Sequence, residues 1–338
     1  MNRNALYFIA PGQVDVRLEP IPDLRPNEVL VKSVLSAISA GTEMLIYRGQ
    51  FPRGSNELGD AISTDLRYPL TYGYACVGRV VDTGAAVDRI WQGRLVFVFR
   101  SHASHWVCAL EDLLPVPDGV PVDDAVFLPN METAVNLIQD AAPILGERVL
   151  VLGQGIVGLL SAALLHEFPL ACLVTADRYE VRRKSSAQIG VSAALDPAAG
   201  DFHELAADQA GGEASRFDLV LEITGNPDAL NDAIALTAFS GRVLVASWYG
   251  LKRAPLDLGA GFHRSRIRIL SSQVSSIGPE LSGRWDKNRR FNVAWDALRR
   301  IHPARWITRR FLLDQAVEAY ALLDRSPEQA LQVVFEYP

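Results

Sequence analysis

The residues best placed to do chemistry begin at Val149-Leu150-Val151-Leu152, which runs without a break into Gly153-Gln154-Gly155-Ile156-Val157-Gly158. An apolar strand entering a Gly-x-Gly-x-x-Gly turn that opens an apolar helix is a cradle for the pyrophosphate of a dinucleotide. Gly153 allows the tight turn, Gly155 lets the backbone approach phosphate, and Gly158 lets helix and strand pack closely. The helix N-terminus adds favourable charge. A second strand ends at Asp177, 19 residues beyond Gly158. A carboxylate there accepts both ribose hydroxyls of NAD and repels the 2′-phosphate of NADP, so NAD is favoured over NADP. Arg178 follows and could soften that preference, while Asp177 can at the same time cap the helix that starts at Tyr179.

His102, His105 and Cys108 are spaced by three, which suits metal ligands on one helical face. Trp106–Leu110 reads instead as a strand, where positions three apart point to opposite faces, so metal binding is not expected. Either histidine could line a substrate site or be structural. Gly283–Arg310 carries nine Lys/Arg against Asp286 and Asp296, with Trp285, Trp295 and Trp306 between them. A solvated helical face is the default for such a run, and an anion-binding face is the alternative.

These groups need a scaffold. The first 120 or so residues read as β, with apolar or alternating runs at Ala5–Ala10, Val14–Leu18, Glu28–Ala37, Gly73–Asp82 and Arg94–Phe99, punctuated by Gly and Pro. The polar stretch Gly49–Pro69 is long enough to suggest function or mobility. Asp123–Asp140 has a helical pattern with a kink expected at Pro129. Strand–helix alternation follows at Arg148–Gly153, Ile156–Phe168, Ala171–Ala176, Tyr179–Gln188, Phe217–Ile223, Asp228–Phe239 and Gly241–Ser247, which indicates a parallel sheet covered on both faces. The tail predicts one or two helices and a strand at Gln332–Tyr337.

The chain has 338 residues, enough for about two domains. With 33 basic and 39 acidic residues it has a net charge of −6, which does not favour nucleic acid or anionic membrane as a partner. The longest uncharged stretch, Val149–Leu165, is broken by glycines and is shorter than the roughly 20 residues of a membrane span. The apolar run after Met1 is too short for a secretory signal. Three scattered cysteines, Cys76, Cys108 and Cys172, without a CxxC motif fit a reducing cytoplasm.

A β region, a central nucleotide-binding region and a C-terminal return together resemble the medium-chain dehydrogenase/reductase superfamily. The segments that carry the resemblance are Glu28–Lys32 with Ser36–Ser39, Pro69–Val81, Val87–Val96, Thr133-Ala134 and Asp218–Glu222. The resemblance implies an α/β chain with a GroES-like β catalytic domain, 1–125 and 273–338, and a Rossmann doubly wound parallel-sheet coenzyme domain, 126–272. It implies Thr133 and Thr224 as further coenzyme contacts. The positions of the superfamily's zinc ligands fall at Ser39, Tyr74 and Pro129, and the glutamate after the histidine becomes Ala75. Ser, Tyr and Pro do not make a zinc shell, so no zinc is expected. Within this zinc-free branch the wording resembles the bacteriochlorophyllide dehydrogenase-like group. Tyr74 is then implied as the acid/base group, with its acidity increased by a nearby cation or the coenzyme, Thr42 as a proton relay, Glu43 as support, and Glu132 and His102 as further candidates.

The expected function is hydride transfer between nicotinamide and an alcohol/carbonyl pair. A zinc-free enoyl or quinone reductase, or a nucleotide-binding sensor without turnover, fits the same motifs. The expected partners are a small-molecule substrate and a second copy of the chain, paired along the edge Ser265–Ser272.

Overall fold

The computed structural model describes residues 1–51, 66–212 and 215–338. Most of the irregular stretch 49–69, namely 52–65, lies outside the described residues. The chain divides into two compact units, Met1–Pro129 with Leu298–Pro338, and Asn130–Ala297.

In the first unit, β1 (Asn2–Ala10) and β2 (Gln13–Pro20) form an antiparallel hairpin that turns at Pro11-Gly12, with Gly12 at φ +75°. The next strand, β3 (Glu28–Ala37), is the organising element. Seven of its ten residues are buried, a pattern that belongs to a strand with neighbours on both sides. One side pairs with β4 (Cys76–Thr83). On the other, β6 (His105–Ala109) covers Glu28–Lys32, and the last strand of the chain covers Leu35–Ala37. Between β3 and β4 lies the short helix α1 (Thr42–Tyr47). The sheet continues through β5 (Leu95–Val98) and β7 (Leu114–Pro115).

The helical pattern over Asp123–Asp140 is broken rather than kinked. It gives α2 (Val122–Ala125) and α3 (Leu128–Ala141), and Pro129 sits in the first turn of α3, where its missing N–H leaves no bond unmade.

The second unit holds β8 (Arg148–Leu152), α4 (Ile156–His166), β9 (Cys172–Ala176), α5 (Glu180–Ala187), β10 (Ala193–Leu195), α6 (Phe202–Gln209), β11 (Phe217–Glu222), α7 (Ala229–Leu236), β12 (Thr237–Val245), β13 (Arg268–Ser271) and α8 (Lys287–Ile301). All its strand pairs are parallel, in the order β10-β9-β8-β11-β12-β13. The order reverses between β8 and β11, which makes the carboxyl ends of these strands the place where a ligand binds in such a sheet. The helix predicted to reach Phe239 stops at Leu236, where the Thr237 hydroxyl bonds the Ala233 carbonyl and the chain turns extended.

The chain returns to the first unit within α8, later than the predicted residue 273. The reason is a buried ion pair. Arg290 is fully buried and donates from Nε and Nη2 to Glu132 Oε1 at 3.1 and 2.8 Å, and from Nη1 to Asn136 and the Ser276 carbonyl. That clamp ties α8 and the segment 274–276 to α3, so Arg290 is not part of a solvated basic face. In the first unit the chain ends with β14 (Ile307–Leu312), α9 (Ala316–Arg325) and β15 (Gln332–Glu336).

Arg290→Met should destabilise the second unit by about 3–5 kcal/mol, because it leaves the Glu132 charge buried beside Lys287 alone. Adding Glu132→Gln should recover part of that loss. Denaturant unfolding of the two variants checks this, and a double variant no better than the single one contradicts it.

Candidate functional site

The glycine turn after β8 is shaped as its sequence implies. Gly153 has φ +94°, and a Cβ there would lie 2.7 Å from the Ile223 carbonyl carbon and 2.8 Å from Thr224 N, where the turn crosses the end of β11. A Cβ on Gly158 would collide with the Gly153 carbonyl oxygen. Gly155, the residue before α4, has φ −65° and nothing within 4 Å on its Cβ side. No side chain caps α4. A bare backbone leading to an uncapped helix N-terminus, with Ile156 and Val157 in the first turn, fits a pyrophosphate.

Gln154 points inward. It is fully buried, and its Nε2 donates to the Gly153 carbonyl at 2.9 Å. Its backbone N–H donates to Asp177 Oδ2 at 2.8 Å, while Asp177 Oδ1 accepts from Tyr179 N at 2.9 Å. Asp177 thus braces the glycine turn and the start of α5 together, from the carboxyl end of β9, where a ribose would lie. Arg178 is exposed, and both it and Arg182 stack on the Tyr179 ring, 4.7 and 4.8 Å from its centroid. At the end of β11, Thr224 donates from N and from Oγ1 to Glu222 Oε1, and Tyr249 donates to Glu222 Oε2 at 2.5 Å. Burial, followed by the Glu222 charge, pushes the Tyr249 phenol up, so it stays a donor. Sequence reasoning named Thr224 and missed Glu222 and Tyr249. A charged residue directly after the apolar run Leu219–Leu221 was the available signal. Thr133 lies in α3 next to Glu132, whose carboxylate is held by Arg290 and Lys287.

In the first unit, the turn between β3 and α1 and the segment before β4 bring hydroxyls together. Tyr74 Oη donates to Ser39 Oγ at 2.5 Å, and Thr42 N lies 3.4 Å from the same Ser39 oxygen. The expected increase in Tyr74 acidity is not supported. Burial raises its pKa and the Glu43 charge raises it further, against the lowering effect of hydrogen bonds with Ser39 and Thr42. The phenol is therefore a proton donor at neutral pH.

His102 is buried away from His105 and Cys108. Its Nε2 donates to Glu43 Oε2 at 3.0 Å and its Nδ1 meets Ser36 Oγ at 2.7 Å. His105 opens β6 half-buried, and burial, Lys32 and Arg3 lower its pKa. Among the described residues no group of three or more His, Cys, Asp or Glu could hold a metal ion. Zinc does not fit at Ser39, Tyr74 and Pro129. Two of these are hydroxyls bonded to each other, and the third has no donor atom. Among the described residues no helix is long and apolar enough to cross a membrane.

No protein-family model matches the chain. It is 24% identical to an L-threonine 3-dehydrogenase of Xanthomonas campestris over 90% of this chain and 91% of that one. An L-threonine 3-dehydrogenase of Stenotrophomonas maltophilia is 26% identical over 66% of this chain and 71% of its own. Among solved structures, a short chain alcohol dehydrogenase from E. coli complexed with NADH superposes with TM-score 0.79 at 19% identity, covering 99% of both chains. A 2R,3R-butanediol dehydrogenase from Bacillus subtilis has TM-score 0.79 at 16% identity, covering 99% of this chain and 100% of that one. A Sinorhizobium meliloti protein described as a zinc-binding dehydrogenase and bound to NADP has TM-score 0.79 at 20% identity, covering 99% of both chains. The fold of the chain is accordingly shared with these dehydrogenases, a GroES-like β unit and a Rossmann-like parallel-sheet unit.

The glycines separate packing from binding. Gly155→Ala should leave the melting temperature nearly unchanged and weaken NADH binding by about 10- to 100-fold, since its Cβ enters open space on the phosphate side. Gly158→Ala should lower both. NADH fluorescence titration with thermal unfolding checks this, and tight NADH binding by Gly155→Ala contradicts it.

Proposed function

We propose that this chain is an NAD(P)-dependent, alcohol dehydrogenase-like oxidoreductase that interconverts an alcohol and its carbonyl compound without catalytic zinc. The observation that carries the reading is the open glycine cradle at the N-terminus of α4, within a fold that aligns over its whole length with nicotinamide-binding dehydrogenases. The backbone from Gly153 to Gly158 would hold the pyrophosphate, Asp177 the adenosine ribose, and Thr224 the region beyond the end of β11. When bound, the coenzyme supplies the acceptor or donor of a hydride. Asp177 supports NAD over NADP, and Arg182, 3.5 Å from the Asp177 carboxylate, and the exposed Arg178 are cations that would favour the reverse.

The chain's own contribution to the chemistry is a proton. With Tyr74 protonated, its Oη can give a proton to an alkoxide oxygen as a carbonyl is reduced and recover it in the reverse direction. Ser39 and Thr42 orient the phenol. The substrate we favour is a small secondary alcohol of the 1-hydroxyethyl type. L-Threonine and 2,3-butanediol, the substrates in the relatives' names, both contain that group. We place the protein in the cytoplasm, without nucleic-acid or membrane partners, as a homodimer joined along β13, the edge of the parallel sheet. Light scattering that reads a single chain at micromolar concentration would refute the dimer.

The test is a spectrophotometric screen of NAD and NADP against L-threonine, butanediols and other secondary alcohols, and of the reduced coenzymes against ketones, enones and quinones. Turnover confined to enones or quinones would replace this reading with a double-bond reductase. Tyr74→Phe should cut turnover by about 10²–10⁴-fold with coenzyme affinity intact, and turnover within a few-fold would leave Tyr74 as a space-filler. Elemental analysis should find no stoichiometric zinc, and chelators should not affect activity. One tightly held zinc per chain with chelator-sensitive turnover would overturn the zinc-free reading.

A further inference from the structure

Glu43 is fully buried, and the proposed reaction makes no direct use of it. Three donors from three parts of the first unit converge on its carboxylate. Ser39 N donates to Oε1 at 2.8 Å, while Tyr320 Oη at 2.5 Å and His102 Nε2 at 3.0 Å share Oε2. Tyr320 comes from α9, 277 residues along the chain. Burial and the Glu43 charge push its phenol well above the usual range, so it stays a donor. His102 is held from behind by Ser36 Oγ, which in turn meets Tyr337 Oη at 2.8 Å. The His102 ring also fills the space beside Gly73, where a Cβ would lie 2.9 Å from the ring, so the residue before Tyr74 rests on the same imidazole.

Ser39 is the junction. Its N–H is fixed by Glu43 and its Oγ receives the Tyr74 hydroxyl. Backbone and side chain of one residue therefore connect a buried carboxylate to the proposed proton donor. We propose that Glu43 is a positioning residue that acts through Ser39 to aim and hold the Tyr74 hydroxyl, with His102 and Tyr320 as the side chains that keep its carboxylate in place. This deepens the proposed function and rests on Tyr74 being its proton donor. The groups around the carboxylate that can change charge are His102, Tyr320 and, beyond Ser36, Tyr337. Tyr74 lies on the far side of Ser39.

The test is Glu43→Gln, which keeps the shape and removes the charge. With ring-labelled tyrosine, the Tyr74 Cζ resonance, assigned by its loss in Tyr74→Phe, reports the phenol directly by NMR and needs no substrate. In Glu43→Gln the titration of that resonance should move to lower pH. On the alcohol that the screen identifies, turnover should fall about tenfold or more with KM for the coenzyme unchanged within about twofold. Tyr320→Phe deletes a single hydroxyl and leaves the carboxylate charge less compensated, so it should move the Tyr74 titration to higher pH and lower turnover by less, and it carries the test if Glu43→Gln does not fold. A Tyr74 titration identical to that of the unmutated protein, in a variant that still binds NADH, overturns the proposal. Failure of the unmutated protein to bind NADH overturns the functional reading instead, and the NMR result stands apart from it.

Discussion

The carboxylate of Glu43 is the constraint on which the first unit turns. A buried carboxylate is costly unless its oxygens are met by donors, and those donors must be anchored themselves. Ser39 comes from the end of β3, His102 from the segment before β6, and Tyr320 from α9, on the part of the chain that returns after the whole second unit has been traversed. The polar knot is set against an apolar wall. The Tyr320 ring packs edge-on to Phe8 at 5.2 Å and stacks on Tyr47 at 5.4 Å, and the His102 ring meets Phe335 edge-on at 5.1 Å. Packing gives these rings their places, and the places give Glu43 its donors. Two segments distant in sequence are tied at one point, which aligns β15 beside β3 and leaves Ser39 facing Tyr74.

The second unit solves a different problem, since it must leave backbone groups free. Gly153 and Gly158 are small because other backbone lies against them, whereas Gly155 is small with nothing against it. A strand–turn–helix without a ligand has no need of that third glycine, and a phosphate does. Asp177 serves both states. Its two oxygens brace the turn and the start of α5, so the carboxylate is already oriented at the end of β9, as the proposed ribose contact requires.

Most of the second unit was legible in the sequence because periodicity and glycine spacing are local signals. Val149–Leu152 is an apolar run, Phe217–Glu222 has the apolar stretch Leu219–Leu221 at its centre, and the turn between β8 and α4 is spelled out residue by residue. What the sequence could not show was set by distant partners. Nothing near Arg290 in the chain marks it as buried, and its partner Glu132 is 158 residues away. That pairing is why the units divide inside α8. His102 likewise has one apparent relation in sequence, to His105 and Cys108, and another in space, to Glu43 and Ser36. The strand periodicity was enough to reject the first relation but could not supply the second. The raised Tyr74 pKa was missed for the same reason, since its burial and the Glu43 charge are tertiary facts.

Three buried glutamates, Glu43, Glu132 and Glu222, look alike in sequence, and their partners distinguish them. Glu132 is met by a guanidinium and an ammonium. Its charge is compensated by these two cations, so it holds elements together and has little to offer a reaction. Glu43 and Glu222 are met by hydroxyls, backbone N–H groups and, for Glu43, an imidazole. Those donors are neutral or able to change charge, so their arrangement responds to a charge that develops nearby. Glu222 stands at the carboxyl end of β11, on the side where the parallel sheet receives a ligand, and Glu43 stands behind the Ser39–Tyr74 pair. In each unit the glutamate with uncharged partners adjoins the proposed chemistry. The glutamate with cationic partners belongs to the framework, although the sequence alone offered it as a catalytic candidate.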